Sequence, residues 1–309
     1  MRVLLLAVLL VWLSPAGARC VVPEQVRPVS VAADGELALA TQNLWRLAEA
    51  ELTDAEQDAR LKAWSRHLRD VLRYPHVIAV QEVDTLAMLE SLAARIAADG
   101  GPAYRAVLAE GNDPSGIDVA VLYRDPVRVA SVQPLFAREQ LGRDWLFSRP
   151  PLQLEISEPF PFDLLALHLR SGRGLLDNPR VAVKRRAQAT RIRDWALARL
   201  AEGRPVLLAG DLNSDVDGEL FGEPLRILEQ PPFWSAWQAV PASERFSYFY
   251  RCQPQAIDHL LLSPALRQRH IRTEVSRGNA GRYRVLHGGK GAGAVVSDHD
   301  ALVVYVRQK

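Results

Sequence analysis

The stretch VLLAGDLN, residues 206–213, indicates the fold more clearly than any other part of the chain. Its first five residues are apolar or small, which is typical of a strand, and Asp211 and Asn213 follow where that strand ends. Polar side chains in this position are typical of α/β proteins, because loops at strand ends converge on one edge of a rigid sheet. Each of the two residues alone is also explained as a turn former or a helix cap.

The same arrangement recurs on both sides of this stretch. Asn43 follows a predicted strand at 37–42, and Glu82 follows another at 77–81. Helical patterns are predicted at 55–72, 86–98 and 180–201, and further strands at 117–123, 152–156, 163–168, 257–263 and 302–307. This alternation predicts an α/β fold. Because no linker or repeat interrupts it, we expect one domain over 36–309, preceded by an arm at 19–35.

Composition places the chain among globular proteins. The sequence has 309 residues, of which 48% are hydrophobic and 24% charged, and its formal net charge is +2. This composition disfavours a disordered chain. The small basic excess means that a phosphate-bearing partner would need basic residues gathered locally.

The first residues predict export. Arg2 precedes an apolar run at 3–13 and small residues at 15–18, a pattern typical of a signal peptide covering residues 1–18. The apolar run is too short for the roughly 20 residues that cross a bilayer. Arg19 disfavours a lipid anchor on Cys20, because lipoprotein signals have a small residue at that position. We therefore expect a periplasmic or secreted protein without a stable membrane anchor.

The sequence contains two cysteines, Cys20 and Cys252. An oxidising compartment would allow them to form a disulfide. Two unpaired thiols are the alternative, because separation along the chain does not say whether the sulfurs meet. Two isolated thiols without a histidine cluster do not form a zinc site.

Histidines extend the set of polar residues at predicted strand ends. His168 ends the strand at 163–168, and His299 follows Asp298. Asp258 and His259 are adjacent in a predicted strand, so their side chains point to opposite faces and cannot both enter one site. An isolated histidine in an apolar strand is usually structural, and we expect this of His259.

Seven short blocks together resemble the successive motifs of the endonuclease/exonuclease/phosphatase superfamily, in order and in spacing. They are TQN at 41–43, VQEV at 80–83, GIDVA at 116–120, HLRS at 168–171, GDLN at 210–213, IDH at 257–259 and SDH at 297–299. The resemblance covers nearly all of the chain from 37 to 306. It implies a four-layer α/β sandwich, in which two face-to-face, mainly antiparallel β-sheets are flanked by helices and the site lies at one edge of the sheets.

The resemblance also implies a hard cation bound by oxygen ligands. Mg²⁺ is the expected ion, with Mn²⁺ and Ca²⁺ as alternatives. Glu82 is the expected principal ligand, with Asn43 and Asp298 nearby through an oxygen or a water.

Family analogy offers two candidates for the general base that activates the attacking water. One is His299, held in a single tautomer by Asp258, and the other is Asp211. The sequence does not decide between them. Many relatives carry an Asn shortly before the histidine of the HLRS block, whereas this chain has Ala166 and Leu167.

The remaining expected roles concern the phosphate. His168 is expected to donate a hydrogen bond or a proton to it, with Asp118 as its orienting partner. Among subfamilies, the block at Asp118 supplies either an acid or a tyrosine. Asn213 and Asn43 are expected to contact phosphate oxygens or water, and Arg170 to bind the phosphate backbone.

Nucleic acid is the expected substrate, and we expect a monomer with no protein partner. The basic run at 184–186 either grips phosphates or forms a solvated helix face, which is the commoner case. The run RFSYFYR at 245–251 is either a base-stacking platform or, as we prefer, a strand of the sandwich. A Gly-rich segment at 288–293 is expected to be a surface loop. A sphingomyelinase or other phosphoesterase, and a non-catalytic binding module, are the alternative functions.

Overall fold

The structure, a computed structural model, describes residues 26–47, 53–216, 222–281 and 296–309. The predicted signal peptide at 1–18, the first part of the predicted arm and the Gly-rich segment at 288–293 lie outside the described residues. Within the described part of the arm, Val29 is buried and its N–H donates to the carbonyl of Val71. The arm therefore packs on the folded body.

The described elements alternate between strands and helices, as the sequence pattern predicts. The strands are β1 (Glu36–Leu47), β2 (Val77–Val83), β3 (Arg105–Ala109), β4 (Asp118–Tyr123), β5 (Arg128–Pro134), β6 (Gln140–Leu141), β7 (Asp144–Trp145), β8 (Leu152–Glu158), β9 (Phe162–His168), β10 (Val206–Asp211), β11 (Trp234–Ser235), β12 (Tyr248–Tyr250), β13 (Gln253–Gln255), β14 (Asp258–Leu262), β15 (His270–Val275) and β16 (Leu302–Arg307). The helices are α1 (Asp54–Asp70), α2 (Leu86–Ala98), α3 (Pro179–Ala201), α4 (Glu223–Leu228) and α5 (Pro264–Arg269).

Two six-stranded sheets dominate the fold. Their strand orders are β15–β16–β1–β2–β4–β3 and β11–β14–β10–β9–β8–β5, and β6–β7 and β12–β13 form separate two-stranded sheets. Among the described pairs, β1–β2 and β9–β10 are parallel. The other pairs are antiparallel. Each six-stranded sheet thus has one parallel pair near its centre.

The apolar side chains alternate along the central strands and so divide into layers. On β1, Leu37 and Leu39 face the core between the two sheets, whereas Ala38 and Ala40 face the outer core. On β9 and β10, Leu164 and Leu207 likewise face inward, and the intervening apolar residues face outward. Helices α1 and α2 cover the first sheet, and α3 and α4 cover the second. The predicted four-layer sandwich is confirmed.

Local chemistry explains where the three long helices begin. Thr53 and Glu56 form a reciprocal capping box before α1, and the Thr85 hydroxyl accepts from Met88 N–H at the start of α2. Asn178 caps α3, whose first residue is a proline. None of the helices in the described ranges is long and apolar enough to cross a bilayer.

Candidate active site

The predicted strand-end residues meet at one edge of the sandwich. Asn43 and Glu82 lie near the ends of the parallel strands β1 and β2, and His168 and Asp211 end the parallel strands β9 and β10. Antiparallel neighbours begin at the same edge, so Asp258 pairs directly with Asp211 across β14 and β10. Both sheets therefore contribute side chains to a single site.

Asn43 connects the two sheets. Its Nδ2 donates to Glu82 Oε1 and to Asp211 Oδ2, both at 3.2 Å, while its Oδ1 accepts from Trp45 N–H at 2.8 Å. The side chain therefore presents its amide nitrogen, rather than the expected ligand oxygen, to the two carboxylates. In this geometry the amide nitrogen of Asn43 holds the carboxylates of Glu82 and Asp211 together.

Unusual backbone conformations aim these side chains. Glu82 has φ of 63° at an irregularity in the β2–β4 pairing, and its Oε2 accepts from Arg46 N–H at 3.1 Å. Just before Asp211, Gly210 has φ of 150°, and a Cβ there would lie 1.9 Å from the carbonyl oxygen of Leu167. Only glycine fits this close approach of β10 to β9.

His299 forms a buried pair with Asp258. Its Nδ1 lies 2.7 Å from Asp258 Oδ2, and its Nε2 lies 3.9 Å from Asp298 Oδ1. Burial lowers the pKa of His299, but the carboxylates of Asp258 and Asp298 outweigh burial and raise that pKa well above its usual value. The pair predicted from the sequence is therefore in contact, with the imidazole favoured as the cation.

Asp211 occupies the centre of the cluster. Its Oδ1 accepts from Asn213 N–H at 2.8 Å, and its Oδ2 lies 3.6 Å from His168 Nε2. Burial and the charge of Asp258 raise the pKa of Asp211. Burial, with the charges of Arg149 and His299, lowers the pKa of His168, which favours the neutral imidazole.

Asp118 forms no hydrogen bond with His168 among the described residues, contrary to expectation. A backbone N–H of Gly111 donates to its carboxylate. A Cβ on Gly111 would lie 2.7 Å from Asp118 Oδ1, so the carboxylate packs tightly against this loop. Burial raises the pKa of Asp118 to about 6. The carboxylate that lies beside His168 is that of Asp211, 3.6 Å from Nε2.

Glu82, His168, Asp211 and His299 line a cleft of about 800 Å³. Tyr248 lies beside His299, with ring centroids 4.8 Å apart, and Tyr250 and Arg251 also line the cleft. All three belong to the run at 245–251, for which we preferred a strand of the sandwich. That preference was wrong, because β12 pairs only with β13 in a separate hairpin among the described strands, with positive φ at Arg251 and Cys252 in its turn.

A second cavity of about 500 Å³ adjoins the cleft, and His168 and Arg149 line both. Arg149 is a residue that the sequence analysis missed. Its guanidinium pairs with Asp113 at 2.8 Å and donates to the carbonyls of His168 and Leu169. The sequence signal was weak, because this arginine lies in a loop between two predicted strands.

The basic residues singled out in the sequence take different positions. The Arg170 guanidinium donates to Ser171 and to the Arg173 carbonyl, and it lines the second cavity rather than the cleft. Arg185 is fully buried and donates to the carbonyls of Arg170 and Asn213. Arg186 is exposed and pairs with Glu223. Neither interpretation therefore describes the whole run at 184–186. Arg185 is buried and binds main-chain carbonyls, whereas Arg186 is solvated.

The carboxylates at this edge suit a divalent cation. Ligand atoms of Asp211, Asp258 and His299 lie within 4.8 Å of one another. Two buried carboxylate oxygens, Asp258 Oδ1 and Asp298 Oδ1, have no hydrogen-bond partner. Buried carboxylate oxygens without partners are costly unless a cation or water satisfies them. The carboxylates supply the hard oxygen donors that Mg²⁺ prefers, and His299 adds a ring nitrogen that is already paired with Asp258.

Two peripheral expectations concern His259 and the cysteines. His259 is fully buried, its Nε2 lies 2.7 Å from the carbonyl oxygen of Ser214, and burial lowers its pKa to about 4. Its structural role is confirmed. Cys252 is disulfide-bonded, whereas Cys20 lies outside the described residues.

Comparisons with solved structures show that this fold occurs in known proteins. Solved structures with the same fold include truncated TDP2 of Caenorhabditis elegans, with a TM-score of 0.61, 18% identity, and coverage of 88% of this chain and 98% of that one. A Bacteroides vulgatus endonuclease/exonuclease/phosphatase matches with a TM-score of 0.60, 13% identity, and coverage of 89% and 99%. The Bacteroides thetaiotaomicron mannosyl-6-phosphatase matches with a TM-score of 0.58, 14% identity, and coverage of 87% and 98%.

Comparison with curated protein sequences found no match. The sequence model of the Endonuclease/Exonuclease/phosphatase family, in contrast, matches residues 40–299, which is most of the chain. This range begins just before Asn43 and ends at His299, so it contains every strand end that forms the site. The chain therefore belongs to the endonuclease/exonuclease/phosphatase family.

Proposed function

We propose that residues 36–309 form the catalytic domain of a Mg²⁺-dependent phosphodiesterase that hydrolyses nucleic acid, DNA in the first place and RNA as the alternative. One observation carries this proposal. The buried His299–Asp258 pair, at 2.7 Å, lies beside Asp211, and both His299 and Asp211 line the cleft. Phosphodiester hydrolysis needs a proton acceptor for water and a donor for the developing charge on phosphate, and this cluster supplies both.

We assign the proton acceptor to Asp211. Its pKa is raised by burial and by Asp258, and a base is most effective when its pKa approaches the working pH. His299 is better suited to donate a hydrogen bond to a phosphate oxygen, because its carboxylate neighbours favour the charged imidazolium. Asn213 and His168 flank Asp211 and are placed to contact phosphate or the attacking water.

The cation would be held by Glu82 and Asp298, with Mn²⁺ and Ca²⁺ as alternatives to Mg²⁺. Asn43 would position Glu82 through its 3.2 Å hydrogen bond. When bound, the ion would neutralise phosphate charge. Asp298 Oδ1 has no hydrogen-bond partner, which supports this assignment, since a cation or a water would satisfy this buried oxygen.

The cleft favours nucleic acid over a compact phosphate ester. Tyr250 is 49% exposed and Arg251 lies over its ring, at 5.3 Å from the centroid. Exposed aromatic rings beside a basic side chain stack on bases of single strands and frayed ends. A sphingomyelinase or another phosphoesterase on the same fold is the alternative, and a non-catalytic module would not need this proton-transfer set.

We also propose export to the periplasm or the medium, with residues 1–18 as the signal peptide. The disulfide at Cys252 supports an oxidising compartment. Action as a monomer without a protein partner remains part of the proposal.

The test compares plasmid DNA, RNA, sphingomyelin and bis-p-nitrophenyl phosphate as substrates, with Mg²⁺ or with chelator. We expect chelator-sensitive DNA cleavage that falls by at least about 100-fold in Asp211→Asn and His299→Gln, because each removes a proton-transfer group. Asp194→Asn, on the exposed face of α3, removes the same charge away from the cleft and should retain activity. Hydrolysis of sphingomyelin but not DNA would select the alternative, and equal rates in all variants would contradict the mechanism.

A further inference from the structure

The second cavity is basic and has no evident role in hydrolysis itself. Among its described lining residues the acidic group is Asp113, which already pairs with Arg149 at 2.8 Å. Three further cations line it: Arg170, Arg173 and Lys184. None of these three forms an ion pair with a carboxylate of the described residues. The cavity therefore carries excess positive charge in a partly enclosed space.

Three of its four cations are held in place by hydrogen bonds, whereas Arg173 is exposed. The side chain of Arg149 is only 10% exposed and is fixed by Asp113 and by two main-chain carbonyls. Lys184 Nζ donates to Ser148 Oγ at 3.3 Å and is partly buried. Arg170 is bound to its own loop by three hydrogen bonds. Preorganised cations of this kind bind an anion with little loss of side-chain entropy.

The cavity adjoins the reacting groups. His168 lines both the cleft and the cavity, and its buried Nδ1 has no hydrogen-bond partner. Arg149, Ser171 and Arg173 also line both. An anion in the cavity would thus lie directly beside the phosphate under attack.

We propose that this cavity binds a second phosphate of the same substrate, the neighbouring phosphate along a nucleic acid strand. The proposal rests on the proposed function. It identifies the preferred substrate as a strand with at least two phosphates, rather than a compound with a single diester. Lys184 and Arg173 supply the contacts, because phosphate groups bind such side chains through charge-assisted hydrogen bonds.

The test measures equilibrium binding to the wild-type protein in chelator, where no turnover is needed. The ligands are a thymidine dinucleotide without terminal phosphates and the same dinucleotide with a 5′-phosphate or a 3′-phosphate. We expect one of the added phosphates to tighten binding by about tenfold. Lys184→Gln and Arg173→Gln should each reduce this ratio of dissociation constants towards one, and Lys184→Gln should lower the salt dependence of binding by about one counterion.

Arg186→Gln is the matched control. It removes the same charge from the same helix, at an exposed residue paired with Glu223, and should preserve the ratio. Inorganic phosphate at the ligand's concentration should not remove the difference; if it does, the cavity binds the free anion and not the strand. A ratio near one for both phosphorylated ligands, or a ratio unchanged in both variants, would overturn the proposal. Because binding is measured without catalysis, failure of the hydrolysis assay is a separate result.

Discussion

Replacing Asp298 with asparagine should stabilise the cation-free protein while weakening cation binding. The Asp298 side chain is only 15% exposed, and its buried Oδ1 has no hydrogen-bond partner. Burial raises the pKa of this carboxyl from 3.8 to about 6, although His299 opposes the rise. Burial therefore destabilises the ionised form of this carboxyl in the folded protein, as is common at sites that bind ions.

The sign and size of the effect follow from the two pKa values. A carboxyl whose pKa is higher in the folded state binds its proton more tightly there, so its ionisation destabilises the fold as pH rises through 3.8 and then 6. The difference corresponds to about 3 kcal/mol at pH 8 and about half of that at pH 5. In Asp298→Asn this penalty disappears. The gain in unfolding free energy is at most about 3 kcal/mol, because the asparagine amide oxygen would also lack a hydrogen-bond partner.

The assay is urea unfolding in chelator at pH 8 and pH 5, repeated at pH 8 with Mg²⁺. Asp298→Asn should unfold at higher urea than the wild type, more so at pH 8, and Mg²⁺ should stabilise it less than the wild type. Asp300→Asn is the control. Burial raises the pKa of Asp300 as well, but its carboxylate pairs with Arg277 at 3.3 Å and accepts from the N–H groups of Asn279 and Ala280, so this replacement should destabilise the protein by about 3–5 kcal/mol. A loss of stability in Asp298→Asn at pH 8, or an equal response of variant and wild type to Mg²⁺, would refute this reasoning.

Three further predictions address the scaffold and the cleft. Gly210→Ala should prevent stable folding, because its Cβ would lie 1.9 Å from the Leu167 carbonyl; circular dichroism of the purified variant checks this. Arg185→Ala should lower the unfolding free energy by about 3 kcal/mol or more, measured in urea, because buried carbonyl groups at the site lose their donor. Tyr248→Ala removes the ring beside His299 and should raise the KM for single-stranded DNA by about tenfold, with a smaller effect on bis-p-nitrophenyl phosphate; equal effects on both would exclude base stacking.

The sequence predicted the central strands and missed the edges. β1, β2, β9, β10 and β16 contain apolar runs that pack on both faces, so their positions were evident. Within the two six-stranded sheets, the strands that escaped prediction are β3, β5, β11 and β15, and all four lie at the sheet edges. An edge strand needs little apolar surface. In β5, six of the seven residues are exposed and the other is half-buried. Its sequence therefore lacks the hydrophobic pattern on which prediction depends.

The contacts within the site were predicted unevenly, for a related reason. The pairing of Asp258 with His299 came from family analogy, and the structure brings the two side chains to 2.7 Å. The expected hydrogen bond between Asp118 and His168 did not appear, because the Asp118 carboxylate accepts from the backbone N–H of Gly111 instead. Arg149 and the position of Tyr248 depend on how loops cross the sheet edge. Sequence spacing carries little information about such tertiary contacts.

The parallel pairs explain why the site lies where it does. In an antiparallel pair, the end of one strand adjoins the start of the next, so strand ends alternate between the two edges of the sheet. The parallel pairs β1–β2 and β9–β10 instead bring two strand ends to the same edge of each sheet. Because the sheets pack face to face, Asn43 and Glu82 then lie opposite His168 and Asp211, and the 3.2 Å hydrogen bond from Asn43 to Asp211 crosses between the sheets. This topology gives four buried strands a common end. Polar residues that follow buried strands in the sequence therefore indicated the site.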